Sequence, residues 1–204
     1  DLSNSKIDIL CGGSQKALSV PPGLTMLWVS DRAFEAMANR KTPIASFYAN
    51  ILLFKDYYEN KFFPYTMPIS DIKGLRVGLE NYFADQTIHE RHAKIAAATR
   101  KALTAGGIKL YLASGWANTV TVLEVPEGVT DRQILRSMEE DYGIMISGCF
   151  DVLAGKVVRI GHMGENCYVE QVVPTLQALQ GTLEKLGIPV ACDLAKTFLT
   201  EMGK

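Results

Sequence analysis

Ile-Asp-Ile-Leu-Cys-Gly-Gly-Ser-Gln-Lys-Ala-Leu-Ser-Val-Pro-Pro-Gly-Leu-Thr-Met-Leu-Trp-Val-Ser, residues 7–30, is the stretch that decides the predicted fold. Its apolar runs, 7–10 and 24–29, are typical of buried strands. Between them stand two glycines, the polar trio Ser-Gln-Lys at 14–16 and then Pro-Pro-Gly. Glycine permits sharp turns and proline stiffens the chain, so the stretch predicts a tight loop between two strands.

Lys16 is the one lysine in this predicted loop. Withdrawal from water disfavours the charged form of an amine and frees its lone pair for nucleophilic chemistry. The sequence therefore predicts that Lys16 is a reactive amine, with a purely structural lysine as the alternative.

The composition of the 204 residues excludes several classes of protein. Lys+Arg 21 against Asp+Glu 22 gives a net charge of −1 without a basic stripe, which argues against binding to nucleic acid. No apolar run is long enough to span a membrane. Cys11, Cys149, Cys167 and Cys192 are scattered without a Cys-x-x-Cys pair, so we expect reduced thiols and a cytoplasmic protein.

The first half of the chain predicts three helices and one irregular segment. Ser30-Asp31 precedes a short helix over 32–39, and residues 41–68 are rich in aromatic side chains and prolines. A helical pattern begins at Ser70, breaks at 85–87 and ends at Gly106-Gly107.

The second half predicts hairpin strands covered by helices, which is an α+β arrangement. The expected strands are 108–112, 120–125, 144–147 and 157–161, and the last two are expected to form a hairpin. The expected helices run from 131 to about 142, from 168 to 187 and from 192 to 202. His89 and His92 lack a third ligand nearby, so no metal site is expected.

Arg159 interrupts an apolar strand in Gly-Lys-Val-Val-Arg-Ile-Gly-His-Met-Gly, residues 155–164. A buried charge without a partner is costly, so this arginine needs an anion. Its planar fork suits a carboxylate held by two hydrogen bonds. The anion is either a substrate carboxylate or an acidic side chain of the chain itself.

These two motifs resemble those of class V aminotransferases of the alanine–glyoxylate and serine–pyruvate kind. The resemblance implies a pyridoxal 5′-phosphate (PLP) fold type I, with a large α/β domain and a small α+β domain. It implies that Lys16 forms a Schiff base with PLP, that Gln15 binds the cofactor phosphate and that Arg159 binds the substrate carboxylate. Ser14 is a weaker phosphate candidate.

The motif Phe-Pro-Tyr-Thr-Met-Pro, residues 63–68, resembles the family segment that reaches across a homodimer. The resemblance implies that Thr66 binds the phosphate of the partner's cofactor. Some relatives place a phosphate-binding tyrosine before that threonine, which makes Tyr65 a further candidate.

Members of this family are nearly twice as long as the chain, so it is expected to be the C-terminal half of such an enzyme. Residues 1–80 are predicted to form the end of the large domain, with the lysine hairpin and the interface segment, and 81–204 the small domain. The expected activity is transamination between alanine or serine and glyoxylate or pyruvate as part of a longer enzyme. The chain alone is expected to be inactive.

Three alternatives stay open at the level of sequence. A phosphoserine aminotransferase is a closer alternative than a desulfurase, although Pro-Pro-Gly at 21–23 and Arg-Ile-Gly-His-Met-Gly at 159–164 favour the alanine–glyoxylate group. A cysteine desulfurase usually has histidine before the lysine, where this chain has Gln15, and no desulfurase motif surrounds Cys149. A non-catalytic fragment that serves in dimerisation is the third.

Overall fold

The computed structural model describes Leu2 and residues 4–204. Within this part of the chain it contains six α-helices and two antiparallel sheets of two strands each. The chain divides into two compact units, Asp1–Asn81 and Tyr82–Lys204. The mixed α/β class predicted from the sequence is therefore confirmed, whereas the assignment of the units to the family's large and small domains stays a prediction.

The first unit is built on the hairpin that carries the lysine loop. Strand β1 (Ile9–Gly13) pairs antiparallel with β2 (Thr25–Val29) in the register Ile9↔Val29 to Gly13↔Thr25. The helix α1 (Asp31–Ala38) follows directly, then a 3₁₀ turn (Ile51–Phe54) and α2 (Ile69–Ala84).

The N-terminus of α1 is tied to the base of the hairpin. Ser30 Oγ accepts the Ala33 N–H as the helix cap and donates to Asp8 Oδ1 at 2.8 Å. Arg32 Nε donates to the same oxygen at 2.9 Å. The hydrogen bond from Arg32, followed by that from Ser30, lowers the pKa of Asp8. Hydrogen bonds thus connect the base of the hairpin to the N-terminus of α1.

The prediction that the two strands are buried is wrong for the chain as described. The side chains of Ile9, Leu10, Leu27 and Trp28 are 42–48% exposed. An apolar run is buried only where a second layer covers it, and the strands of the first unit pair mainly with each other. The hairpin therefore exists at the predicted place with its faces uncovered.

The second unit consists of four α-helices and one pair of strands. The elements are α3 (Ile88–Ala105), β3 (Val120–Glu124), α4 (Asp131–Tyr142), β4 (Val157–Gly161), α5 (Val169–Lys185) and α6 (Leu194–Met202). Strand β3 pairs antiparallel with β4 in the register Val120↔Gly161 to Glu124↔Val157. Helix α3 packs along α6, α6 along α5, and α5 along α4.

A continuous apolar core lies between these helices and the sheet. Ile95, Leu123, Ile160, Leu179 and Phe198 are at most 2% exposed. Complete burial of a side chain of this size contributes about 1.5–3 kcal/mol. The second unit therefore has its own core, as the periodicity of its helices predicts.

The helix ends lie where the predicted signals place them. Thr130 and Gln133 form a reciprocal capping box at the start of α4, and Gly143 ends the helix in the left-handed conformation with φ +66°. The break at 85–87 separates α2 from α3, and Gly106 caps α3. These helix ends can be predicted from the sequence because each depends on residues only a few positions apart.

Two of the predicted strands form only one isolated β-bridge each. Residues 108–112 contribute only the bridge Leu110↔Leu123, and residues 144–147 only Ser147↔Arg159. The predicted antiparallel contact between 144–147 and 157–161 is thus confined to one bridge, and β3 is the main partner of β4. Strand pairing is a long-range property that the apolar pattern of a segment does not specify.

His92 has both ring nitrogens engaged inside the second unit. Nδ1 lies 2.6 Å from the Ile88 carbonyl, and Nε2 accepts the Gly164 N–H at 3.0 Å. Among the described residues, no group of His, Cys, Asp and Glu could hold a metal ion. The described helices include none that is both long and apolar enough to cross a membrane.

We predict that His162 makes stability depend on pH. The ring is fully buried beside Thr121 Oγ1, 2.8 Å from Nε2, and burial lowers its pKa to about 4. An unfolded histidine has a pKa near 6.5, so the unfolded chain binds the proton first as pH falls. Stability is therefore complete above about pH 6.5 and falls by about 3 kcal/mol towards pH 4.

Urea unfolding between pH 4 and 8 measures this loss. His162→Gln should flatten the pH dependence, although its stability near neutral pH is lower. His89→Gln, which removes an exposed histidine, is the matched control. An identical pH slope in wild type and His162→Gln contradicts the prediction.

Candidate functional site

The loop between β1 and β2 is held by Ser14. This residue is fully buried, and its hydroxyl donates to the Pro21 carbonyl at 2.8 Å and accepts the Leu24 N–H at 3.4 Å. Its backbone N–H donates to the Leu24 carbonyl, and its carbonyl accepts the Val20 N–H. Four hydrogen bonds from one residue therefore close the loop on itself.

Lys16 lies at the exposed side of this loop. Its carbonyl accepts the Ser19 N–H at 2.9 Å, and Ser19 itself has φ +54°. In the described part of the chain the Lys16 ammonium takes part in no ion pair. The expected withdrawal of this lysine from water is not found, because the strands on either side are themselves uncovered.

Gln15 stands beside the lysine with its amide folded back over the backbone. A Cβ built on Gly13 would lie 2.8 Å from Gln15 Oε1, so the glycine leaves the space that the amide occupies. The side chain is otherwise exposed. The loop thus presents an amine and a carboxamide on neighbouring residues.

The far end of the loop packs on α2 through Val20. This side chain is 6% exposed and lies over Gly74 and Gly78, one helical turn apart. A Cβ at position 74 would meet Val20 Cγ1 at 3.7 Å, which is ordinary contact. One at position 78 would meet Val20 Cγ2 at 2.4 Å and the Leu18 carbonyl oxygen at 3.0 Å. Gly78 is therefore required for the close approach of loop and helix.

Tyr65 is the centre of the aromatic segment 41–68. Its ring stacks on Tyr48 at 5.2 Å and makes edge contacts with Phe47, Phe54 and Phe63. Its hydroxyl lies 3.2 Å from the Phe47 carbonyl and 3.1 Å from that of Tyr48. The neighbouring Thr66 is exposed. Tyr65 therefore organises the segment that presents Thr66.

The hydroxyl hydrogens of Ser14 and Tyr65 are both given to backbone carbonyls. A phosphate oxygen needs a donor, and a hydroxyl has only one hydrogen to give. The predicted contact of these two residues with a phosphate thus finds no support in this conformation. Gln15 and Thr66 keep exposed side chains, and their predicted roles stay predictions.

Arg159 lies in the second unit, in the middle of β4. Its N–H and carbonyl both bond to Ser147, at 2.6 and 3.1 Å, and Val122 stands opposite on β3. Its side chain is half-buried, and Nε donates to the Gly148 carbonyl at 2.8 Å. Among the described residues no carboxylate pairs with it. The alternative of an internal ion pair therefore has no partner in the described chain.

The sequence patterns missed Gly148 and Phe150, which contact Arg159. The Phe150 ring centroid lies 5.9 Å from the guanidinium carbon of Arg159. No local motif marks either residue, because their proximity to Arg159 comes from the bridge between Ser147 and β4. The Gly74–Gly78 pair did carry a signal, since glycines four residues apart share one face of a helix.

The described groups fit the cofactor that the motifs imply. PLP offers an aldehyde, which a primary amine can bind covalently, and a phosphate, which an amide or hydroxyl can donate to. Lys16, Gln15 and Thr66 supply these groups from exposed positions of the first unit. Arg159 uses Nε on the Gly148 carbonyl and keeps its two terminal nitrogens, which suit a carboxylate.

Comparison with known proteins finds relatives that are named as aminotransferases. The chain is 37% identical over 188 residues to an uncharacterized aminotransferase of Methanocaldococcus jannaschii, which covers 90% of this chain and 48% of that protein. It is 36% identical over 188 residues to the serine–glyoxylate aminotransferase of Arabidopsis thaliana, covering 90% and 46%. The crystal structure of pyridoxamine–pyruvate aminotransferase from Mesorhizobium loti matches with a TM-score of 0.91 at 31% identity, covering 99% of this chain and 53% of that one.

The chain therefore spans about half the length of the curated relatives it matches. No family model matches it. The high structural similarity over nearly the whole chain shows that both units keep the fold of the corresponding parts of the relative.

We predict that Gly78→Ala loosens the lysine loop and that Gly74→Ala does not. Both changes gain up to about 1 kcal/mol of helix propensity. Only the methyl at position 78 collides with Val20 and with the backbone at Leu18, at a cost of about 1–3 kcal/mol. Gly78→Ala should therefore lower the melting temperature and speed hydrogen exchange at the Val20 N–H, while Gly74→Ala keeps or raises stability. Equal exchange rates in the two variants would falsify the packing argument.

Proposed function

Because the chain belongs to the class V aminotransferases of PLP fold type I, we propose that the complete protein containing it transfers an amino group from a small amino acid to a small 2-oxo acid. Alanine or serine is the proposed donor, and glyoxylate or pyruvate the proposed acceptor. The observation that carries the proposal is the lysine loop, in which buried Ser14 holds exposed Lys16 and Gln15 in place.

Lys16 has two proposed tasks. Its Nζ would hold the cofactor covalently, and the same amine, when free and neutral, would accept the proton of the Cα of the amino acid and become an ammonium. PLP, when bound, would supply the electron sink that makes that Cα–H acidic. The proton transfer needs a neutral amine, which is favoured when the complete site excludes water around Lys16.

Gln15 and Thr66 are proposed to hold the phosphate. The amide of Gln15 donates from the same loop as the lysine, which keeps the covalent and the phosphate contacts at a constant separation. Thr66 is proposed to act across a homodimer, on the cofactor of the partner subunit. Its exposed position beside the aromatic cluster around Tyr65 supports a role at an interface. A cytoplasmic location is part of the same proposal.

Arg159 is proposed to bind the α-carboxylate of the substrate. Its backbone is paired on both sides, and its charge has no carboxylate partner among the described residues. A fixed guanidinium that lacks an internal anion is suited to an anionic ligand. The domain prediction, 1–80 and 81–204, places this group on the small domain and Lys16 on the large one.

The proposal is tested on the complete protein that contains these residues. We predict that Lys16→Ala lowers alanine–glyoxylate transamination at least about 10³-fold, because cofactor attachment and proton transfer both need the amine. Borohydride reduction followed by peptide mass spectrometry should place the cofactor on the Lys16 peptide of the wild type. Lys6→Ala is a control for the loss of a lysine charge nearby. Covalent cofactor at another lysine, or near-normal turnover in Lys16→Ala, refutes the proposal.

A second prediction concerns the substrate. Arg159→Lys should raise the KM for alanine about 10- to 100-fold, since an ammonium cannot reproduce a hydrogen-bonded fork worth about 1.5–3 kcal/mol. The affinity for PLP should change little, as measured by cofactor titration. A variant that loses PLP and keeps its KM shows that the arginine binds the cofactor instead.

A further inference from the structure

Arg159 has two edges that can hold a carboxylate by two hydrogen bonds. One edge uses Nε together with one Nη, and the other uses Nη1 and Nη2. Nε–H is already donated to the Gly148 carbonyl at 2.8 Å. The only edge with both donors still available among the described contacts is therefore the Nη1/Nη2 edge.

The ring of Phe150 lies near the guanidinium of Arg159. Its ring centroid lies 5.9 Å from the guanidinium carbon, at the outer range of a cation–π contact. The side chain is 71% exposed, although it is large and apolar. The next residue, Asp151, holds the left-handed conformation with φ +53° and begins a 3₁₀ turn to Leu153. The chain therefore turns directly after Phe150.

Helix α4 packs against Gly148. A methyl group at Gly148 would lie 3.4 Å from Leu135 Cδ1 and 3.5 Å from Asp131 Oδ2. Gly148 thus fits against the first turns of the helix with room for little more than one methyl. The carbonyl that accepts the Arg159 Nε–H is consequently held by packing, as well as by the neighbouring bridge at Ser147.

We propose that the segment 148–150 positions Arg159 so that it takes a carboxylate end-on, through Nη1 and Nη2. Gly148 holds the Nε edge through its carbonyl, and the Phe150 ring restricts the guanidinium by its contact with it. Both are positioning residues that act through the arginine. This inference rests on the proposed function, because it concerns the arginine assigned to the substrate carboxylate.

The test uses the complete protein loaded with PLP, with acetate as a competitive inhibitor against alanine. Acetate has a carboxylate and no amino group, so its inhibition constant reports on Arg159. Phe150→Leu should weaken acetate inhibition and raise the KM for alanine about two- to five-fold, with little change in kcat or melting temperature. Phe150→Tyr keeps the ring and should restore both constants.

Gly148 is tested by size. Gly148→Val exceeds the available room and moves the carbonyl, so it should weaken acetate inhibition about ten-fold. Val152→Ala is the matched control, since Val152 is 79% exposed on the same turn and should change neither constant. If Gly148→Val does not fold, the Leu and Tyr variants of Phe150 decide.

The outcomes separate the inference from the proposed function. If Arg159→Lys weakens acetate while Phe150→Leu and Gly148→Val leave it unchanged, the positioning role is overturned and the proposed function stands. If Arg159→Lys itself leaves acetate inhibition unchanged, the proposed role of Arg159 fails and the inference fails with it.

Discussion

One buried hydroxyl, that of Ser14, holds the geometry of the lysine loop. It donates to Pro21 and accepts from Leu24, and so joins the two ends of a loop that has no regular secondary structure of its own. Leaving these buried groups without partners would cost about 1–3 kcal/mol each. Because the hydroxyl is used inside the loop, the neighbouring Gln15 and Lys16 can be exposed and still have fixed backbones. Precise placement of a reactive side chain depends on such support.

The sequence predicted those parts of the fold that depend on local chemistry. The cap at Ser30, the capping box at Thr130 and the stop at Gly143 each involve residues within four positions of one another, and all three are present. The burial of the strands around the lysine depends on distant parts of the chain, and that prediction was wrong. The predicted pairing of 144–147 with β4 is confined to the bridge at Ser147. An apolar alternation indicates a strand, but which layer or neighbour it meets is set by tertiary structure.

The candidate site shows the same division. The family resemblance implies that Ser14, Tyr65, Gln15 and Thr66 bind a phosphate, and each of these side chains has a hydrogen to donate. Which hydrogens are left over is decided by folding, and the hydroxyls of Ser14 and Tyr65 are already used on carbonyls. The need of Arg159 for an anion followed from its strand alone, whereas the absence of a carboxylate partner in the described chain required the structure.

Unusual backbone conformations occur near both residues with proposed roles, Lys16 and Arg159. Ser19 follows Lys16 in the same loop, and Asp151 follows Phe150 beside Arg159, and both have positive φ without being glycine. Each such residue costs of order 1–3 kcal/mol unless the surroundings over-determine it. In the first unit, the hydrogen bonds of Ser14 and the packing of Val20 on Gly78 hold the loop in this conformation. In the second, the Asp151 carbonyl accepts the Ala154 N–H at 3.1 Å within its turn. Lys16 and Arg159, the two residues with proposed roles, therefore each lie near a residue of costly backbone conformation.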